Sequence, residues 1–217
     1  MSNWYEAISE KTDYILQEIY KHPFIKDLME GTLSKEVFNF YINQDSIYLA
    51  EYKKILAEVG IRCEDDQDTQ FFLGSATGII HVEDALHENF LTGEERTTQA
   101  SPTCELYISY LSRIVHTKSL EEGLAAVLPC FTIYKEVGDY ILANQNNEGE
   151  NPYQDWINTY GGEAFANSVK KAVDITNKLA SEASPERIEK MNEAFEKASK
   201  LEWMFWDSAY NKEAWKV

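Results

Sequence analysis

Apolar residues recur at intervals of three and four along almost the whole chain, the spacing that places side chains on one face of an α-helix. Trp4, Ile8, Ile15 and Ile19 give the first example. The alternation typical of strands is nearly absent, and only 10 glycines and 5 prolines interrupt 217 residues. The pattern predicts an all-α fold. Because no linker, repeat or low-complexity tract divides the chain, it also predicts a single domain over residues 1–217.

Capping and breaking residues predict where the helices begin and end. Ser34, Ser101, Ser119 and Ser184 are predicted N-caps, with Ser119 and Glu122 forming a capping box. The predicted helices run from Trp4 to near His22, from Ser34 to before Gly60, over 68–90 and 104–116, from Ser119 to about Ala143, over 154–160, from there to Ala180, and from Pro185 through Trp206. A polar loop is predicted at 144–149, and a helix end at 91–93.

Charge and composition exclude several classes of function. The chain has 37 acidic residues against 20 Lys and Arg, for a net charge of -17, so phosphate backbones and anionic membranes repel it. An apolar fraction of 44% is enough to form a core and excludes disorder. No apolar run approaches the roughly 18 residues of a membrane span, and the N-terminus lacks a signal-peptide pattern. The three cysteines, Cys63, Cys104 and Cys130, show neither disulfide nor zinc spacing. We therefore expect a protein of the reduced cytoplasm.

Pro129 interrupts a strongly apolar stretch at 124–134. Proline in a helix interior removes a donor and clashes with the preceding turn, which predicts a kink. Cys130 follows directly, and Tyr134 lies one turn further on the same face. Irregular backbone often aims a side chain at a ligand. The commoner interpretation is a buried cysteine in a bent core helix, and the pattern alone leaves both open.

Two carboxylates lie in unusually apolar surroundings. Tyr41, Asp45, Tyr48 and Tyr52 follow one another at i, i+4, i+7 and i+11, which is a single helical stripe. A carboxylate among tyrosines must be desolvated or hydrogen-bonded, so Asp45 is either a ligand-binding group or a structural one.

Glu202 lies in an apolar, aromatic segment that includes Phe205 and Trp206. Such surroundings raise the pKa of a carboxyl group, as suits a proton shuttle, although a surface or ion-paired glutamate is the commoner explanation. Tyr107 and Tyr160 are weaker candidates, because either could be a packing residue with a solvated hydroxyl.

A histidine and carboxylate cluster on the third predicted helix raises the question of a metal. Asp84 and His87 have the i, i+3 spacing of half a di-iron site, with His81 and Glu83 nearby. The second carboxylate–histidine pair that such a site needs is missing from the sequence. We therefore expect no metal site and interpret these histidines as hydrogen-bonded or exposed.

Four separated segments together resemble the motifs of the TenA/thiaminase II family, in that family's order. They are the Gln44-Asp45 segment at 40–49, the Pro129-Cys130 segment at 128–138, the Tyr160-Gly161-Gly162 segment at 153–162 and the Glu202-Trp203 segment at 202–210. The resemblance covers essentially the whole chain. Because the cysteine is present, it points to the Cys-containing branch.

The resemblance implies a haem-oxygenase-like helical bundle, a homotetramer, and neither haem nor metal as cofactor. It implies a hydrolase of thiamin salvage that converts 4-amino-5-aminomethyl-2-methylpyrimidine, thiamin or both to 4-amino-5-hydroxymethyl-2-methylpyrimidine. By the family's motifs, Cys130 would be the nucleophile, Glu202 the acid/base, and Asp45 the partner of the ring nitrogen and amino group. The pocket would be lined by Tyr48, Tyr107, Tyr134 and Tyr160, with Phe205 a candidate wall.

The residue types suit this chemistry. A thiolate that adds to an electron-poor ring supplies the electrons needed to expel a group from the exocyclic methylene. A carboxylate beside a ring nitrogen stabilises the protonated, more electrophilic ring. A free thiol is mostly protonated at neutral pH, so we expect a helix end or a neighbouring acid/base pair to lower the pKa of Cys130. The sequence does not show which of these acts.

Three other functions fit the same fold. An oxidase would need further carboxylate and histidine ligands or a basic pocket, and neither is visible in the sequence. A regulator that binds DNA is disfavoured by the charge of -17 and the absence of a basic helix. A carrier that only binds the pyrimidine would not need Cys130 together with Glu202.

Overall fold

A computed structural model describes residues 3–90, 97–146 and 150–217, and the side chains among these except those of 81–90. In this part of the chain all of the regular structure is helical, which confirms the predicted fold class. The helices are, in chain order, α1 (Trp4–Lys21), α2 (Pro23–Glu30), α3 (Lys35–Arg62), α4 (Asp66–Phe90), α5 (Pro102–Thr117), α6 (Leu120–Asn144), α7 (Gln154–Gly161), α8 (Glu163–Glu182) and α9 (Pro185–Tyr210).

The four predicted serine caps are confirmed. The hydroxyls of Ser34, Ser101, Ser119 and Ser184 each accept the backbone N–H three residues further on, at 3.2 Å. The capping box predicted at Ser119 is only half formed. Its carboxylate partner, Glu122, pairs with Arg187 of α9 instead.

The observed helices differ from the prediction in two places, an additional helix and a later helix end. Residues 23–30 form α2, where no helix was expected, with His22 as N-cap, Pro23 in the first turn and Gly31 at φ 71° as C-cap. Gly60 lies inside α3 and not beyond its end. A Cβ at Gly60 would lie 3.2 Å from the Cβ of Phe72, so this glycine lets α4 pack closely against α3. The predicted helix end at 91–93 lies outside the described residues.

The centre of the bundle is formed by α3, α6 and α9. Helix α6 packs against α5, α7, α8 and α9, and α3 packs against α4, α5 and α9. Trp156 and Trp206 are fully buried in the core, together with Tyr41 and Tyr107.

Helix α6 continues through Pro129 without interruption.

A contact between two glycines fixes the position of α7 against α6. A Cβ at Gly138 would lie 2.6 Å from the backbone nitrogen of Gly161 and 2.7 Å from the carbonyl carbon of Tyr160. No side chain can occupy that space, so the two backbones meet directly. This contact sets where Tyr160 lies relative to the side chains of α6.

None of the helices that the structure describes combines the length and the apolar composition of a membrane-spanning segment.

Candidate active site

A cavity of about 470 Å³ opens between α3, α4, α6, α7 and α8. Its walls are mostly aromatic, aliphatic or small side chains. The residues that line it are Asp45, Leu49, Tyr52, Leu56, Gln70, Phe71, Gly74, Ser75, Gly78, Ile79, Cys130, Phe131, Tyr134, Thr159, Tyr160, Phe165 and Ser168. Among these side chains Asp45 is the one acidic group, and none is basic. The cavity therefore suits a flat, uncharged or cationic ligand and not a phosphorylated one.

Of the eight residues that the family resemblance assigns to the site, four line this cavity: Asp45, Cys130, Tyr134 and Tyr160. Asp45 is 2% exposed. The ring centroids of Tyr134 and Tyr160 lie 4.8 Å apart, so the two rings form a continuous wall beside the thiol. The four residues come from α3, α6 and α7.

The other four predicted site residues lie behind the cavity wall. Tyr48, Tyr107, Glu202 and Phe205 are each 3% exposed or less, and none of them is among the lining residues. The ring of Tyr48 contacts those of Tyr107 and Phe205, with centroids 4.9 and 5.7 Å apart. The face of α3 that reaches the cavity contains Asp45 and Tyr52, whereas Tyr48 points into this second layer.

Glu202 is buried beneath the cavity. The Tyr107 hydroxyl donates a hydrogen bond of 2.6 Å to its Oε1. Burial raises the pKa of Glu202 to about 8, the Tyr107 hydrogen bond acts in the opposite direction, and the charge of Asp45 raises it further. Glu202 is therefore mostly protonated at neutral pH and can donate a proton.

The Cys130 thiol is partly exposed to the cavity. Burial raises its pKa well above the usual range, and the charges of Glu202 and Asp45 raise it further, whereas the nearby hydroxyls of Tyr48 and Tyr52 lower it. The neighbouring carboxylates thus act in the direction opposite to the lowering expected from the sequence. In the resting protein Cys130 is a thiol.

Hydroxyl groups connect the cavity wall to the core. The hydroxyls of Tyr41 and Tyr134 lie 3.2 Å apart, and the indole N–H of Trp156 donates to the Tyr41 hydroxyl at 3.3 Å. The Tyr52 hydroxyl donates to the Val127 carbonyl at 2.8 Å. These bonds fix the rings that surround Asp45 and Cys130.

The α4 side of the cavity was not predicted as part of the site. It is formed by Gln70, Phe71, Gly74, Ser75, Gly78 and Ile79. The sequence feature that could have identified this wall is the pair Gly74 and Gly78, which lie at i and i+4 on one helix face, with Phe71 one turn before them.

Within the described side chains no group of three or more His, Cys, Asp or Glu could hold a metal ion. The cluster of His81, Glu83, Asp84 and His87 lies among side chains outside the described part of the chain.

Cys63 and Cys104 lie away from the cavity wall, and burial raises the pKa of Cys63 to about 11 and that of Cys104 to about 12.

Comparison with known proteins gives a consistent match over nearly the whole chain. The profile of the TENA/THI-4/PQQC family matches residues 9–212. An aminopyrimidine aminohydrolase of Bacillus subtilis is 36% identical over 202 residues, which cover 90% of this chain and 85% of that protein. An aminopyrimidine aminohydrolase of Helicobacter pylori is 30% identical over 211 residues, with 94% and 97% covered.

Solved structures agree on the fold. A TenA homologue from Pyrococcus furiosus superposes with a TM-score of 0.89 at 24% identity and covers 95% of this chain and 99% of its own. A domain with a haem oxygenase-like fold from Shewanella denitrificans superposes with a TM-score of 0.77 at 17% identity, with 95% and 92% covered. These likenesses confirm the haem-oxygenase-like bundle.

Proposed function

The chain belongs to the TENA/THI-4/PQQC family, and from this premise we propose that it is a hydrolase of thiamin salvage. It converts 4-amino-5-aminomethyl-2-methylpyrimidine, thiamin or both to 4-amino-5-hydroxymethyl-2-methylpyrimidine. The related proteins of B. subtilis and H. pylori named aminopyrimidine aminohydrolase support the reaction class.

The observation that carries this proposal is the meeting of Cys130 and Asp45 on the wall of one aromatic cavity, above the buried acid Glu202. A thiol, a carboxylate and a protonated carboxylic acid are the three groups that substitution at a pyrimidine methylene needs. The tyrosine faces suit stacking on a flat ring.

The first half of the reaction forms a covalent adduct. Asp45 holds a ring nitrogen of the substrate, which takes the proton of the Cys130 thiol, so that nucleophile and electrophile are activated together. The sulfur then adds to the protonated, electron-poor ring, and the ring nitrogen becomes neutral. This order explains why a resting thiol of high pKa is compatible with catalysis, because the proton has a destination only when substrate is bound.

With the aminomethylpyrimidine as substrate, the second half exchanges ammonia for water. Electrons of the adduct expel the amine, which takes its proton from Glu202. Water adds to the exocyclic methylene and returns a proton to Glu202, after which the sulfur leaves and regains its own proton. The net change is one water consumed and one amine released. A pKa of about 8 suits Glu202 to both steps near neutral pH.

The Tyr48 hydroxyl is positioned to stabilise the thiolate. It is buried and has no hydrogen-bond partner within the described part of the chain, and it lies where it lowers the pKa of Cys130. We assign Tyr48 to this supporting role behind the cavity wall, together with Tyr107, which orients Glu202. Phe205 packs against Tyr48 and holds its ring in place.

The test is an assay of purified protein with the aminomethylpyrimidine and, separately, with thiamin. The hydroxymethyl product is quantified by chromatography for the wild type, for Cys130→Ser and for a chelator-treated sample. Cys63→Ser is the matched control, because it makes the same thiol-to-hydroxyl change outside the cavity.

We expect product from the wild type and from Cys63→Ser, undiminished by chelation, and a loss of about a thousandfold or more in Cys130→Ser. Absence of product from folded wild-type protein on both compounds would refute the proposed reaction. Undiminished activity in Cys130→Ser would refute covalent catalysis by this residue.

We further propose that the protein is a homotetramer. Apolar side chains on the outer surface of α3 and α4 support assembly, since Ile61, Leu73 and Ile80 are 67%, 41% and 44% exposed. Light scattering coupled to size-exclusion chromatography tests this, with four chain masses expected and one chain mass refuting it.

A further inference from the structure

Two glycines on the α4 wall have no steric reason within the protein to be glycine. A Cβ built at Gly74 or Gly78 would meet no atom within 4 Å. Gly60, Gly138 and Gly161 differ, because a Cβ at each would lie 3.2 Å or less from a neighbouring atom. Neither Gly74 nor Gly78 has a positive φ, so other residues could adopt the same backbone.

Glycine inside a helix lowers stability relative to alanine. Gly74 and Gly78 lie in the interior of α4, one turn apart on the same face, and both line the cavity. The space that their missing side chains leave therefore belongs to the cavity and is open to a ligand.

The walls around this space differ in chemistry from those around Cys130. On the α4 and α8 sides they combine the apolar Phe71, Ile79 and Phe165 with uncharged polar side chains, and Asp45, the one charged group among the lining residues, lies on α3 instead. Aromatic and aliphatic walls accept a flat, weakly hydrated group, including a delocalised cation over a ring face. Without a lysine or arginine among the described lining residues, they do not favour a phosphate.

The cavity is large enough for more than the pyrimidine. A volume of about 470 Å³ lies in the range that proteins use for drug-sized ligands. One substituted six-membered ring, stacked on Tyr134 and Tyr160 beside Asp45, would fill only part of it. The α4 residues of the wall are then available to the group that leaves the exocyclic methylene.

We infer that Gly74 and Gly78 determine the size of the leaving group that the cavity accepts beside the pyrimidine. This inference rests on the proposed function and adds to it the residues that set specificity. Side chains at 74 or 78 would take up this space from the α4 wall.

The experiment compares two substrates in the same variants. The aminomethylpyrimidine releases ammonia, and thiamin releases a thiazole ring. Values of kcat/KM for both are measured in the wild type, Gly78→Ala, Gly78→Leu and Gly74→Leu. Thr77→Leu is the matched control, because it places the same leucine side chain on the exposed face of the same helix.

We expect kcat/KM for thiamin to fall about tenfold or more in the two leucine variants, and by less in Gly78→Ala. For the aminomethylpyrimidine we expect changes within about threefold, which also shows that the variants are folded and catalytically intact. Thr77→Leu should leave both substrates unchanged. If a leucine variant aggregates, the same selective but smaller loss in Gly78→Ala carries the test.

The experiment distinguishes failure of this inference from failure of the proposed function. A wild type that hydrolyses the aminomethylpyrimidine and not thiamin overturns this inference and leaves the proposed function standing. Equal losses on both substrates, or no selective loss on thiamin, also overturn it. A wild type that hydrolyses neither compound overturns both proposals.

Discussion

Cys130 and Glu202 lie close enough for the charge of Glu202 to act on the thiol, so their protonation is coupled. The charge of Glu202 raises the pKa of the Cys130 thiol, and burial raises the pKa of both groups. In a coupled pair of this kind a proton lost from one group makes loss from the other harder. A change at either residue is therefore measurable at its neighbour.

Replacing Glu202 with glutamine should make Cys130 more reactive toward an alkylating reagent. Removal of the neighbouring negative charge lowers the pKa of the thiol, and at about pH 9 the alkylation rate should increase about tenfold for each unit of that change. Iodoacetamide labelling followed by mass spectrometry resolves Cys130 from Cys63 and Cys104. A profile that is unchanged or moves to higher pH would contradict the coupling.

The Tyr107 hydrogen bond should be visible in the pH dependence of catalysis. If Glu202 must be protonated to release the amine, activity is lost as pH rises through its pKa of about 8. The bond from Tyr107 favours the carboxylate and lowers that pKa, so Tyr107→Phe should raise it and move the alkaline limb of kcat/KM to higher pH.

The control for this measurement is Tyr110→Phe on the same helix. The Tyr110 hydroxyl donates to the Ala194 carbonyl at 3.4 Å and not to Glu202, so its loss should leave the limb in place. A shift to lower pH in Tyr107→Phe would mean that the bond favours the protonated acid.

At the scale of the elements, helix caps were readable from the sequence because they are local. Ser34, Ser101, Ser119 and Ser184 each bond a backbone group three residues away. The sequence prediction omitted α2, although Pro23 has the first-turn position at which proline begins a helix.

The sequence motifs predicted that Cys130 and Asp45 belong to the site. The spacing of residues along a helix could not show which of the predicted side chains face the cavity and which lie in the layer behind its wall. A helical stripe identifies a face about 100° wide. Asp45 and Tyr48 fall within one such face, and only the packing of α5 and α9 against Tyr48 decides that it is covered. Gly60 was misjudged for a similar reason, because a close contact with another helix leaves no local signal.

The contact between α6 and α7 at Gly138 can be tested by substituting this glycine with alanine. Gly138→Ala places a Cβ 2.6 Å from a backbone nitrogen, so α7 must move, at a cost of about 3 kcal/mol in the free energy of unfolding. Because Tyr160 moves with α7, activity should fall as well. Urea denaturation and the product assay measure the two effects.

Gly123→Ala in the same helix is the matched control. Its Cβ would lie 3.5 Å from Val115, which is an ordinary contact, and alanine is the better helix former. We expect unchanged or slightly increased stability. Equal destabilisation by both substitutions would show that the glycine contact is not what holds α7.

At the scale of the whole molecule, the single domain predicted from the sequence has a direct test. Helix α9 packs against α1, α2, α3, α5 and α6, so chain segments far apart in sequence share one core. Trp156 and Trp206 report on that core from α7 and α9. We expect unfolding followed by fluorescence and by circular dichroism to coincide in one transition. Two separated transitions would contradict a single domain.

The protonated resting state of Cys130 also bears on oxidative damage. Peroxides react with thiolates and hardly at all with thiols, so a cysteine whose pKa is raised by burial and two carboxylates is poorly oxidised while the cavity is empty. In the proposed mechanism the sulfur becomes vulnerable only during the brief interval in which substrate has drawn off its proton and already occupies the approach to the sulfur. The raised pKa of Cys130 would then limit its oxidation as well as its reactivity until the substrate arrives.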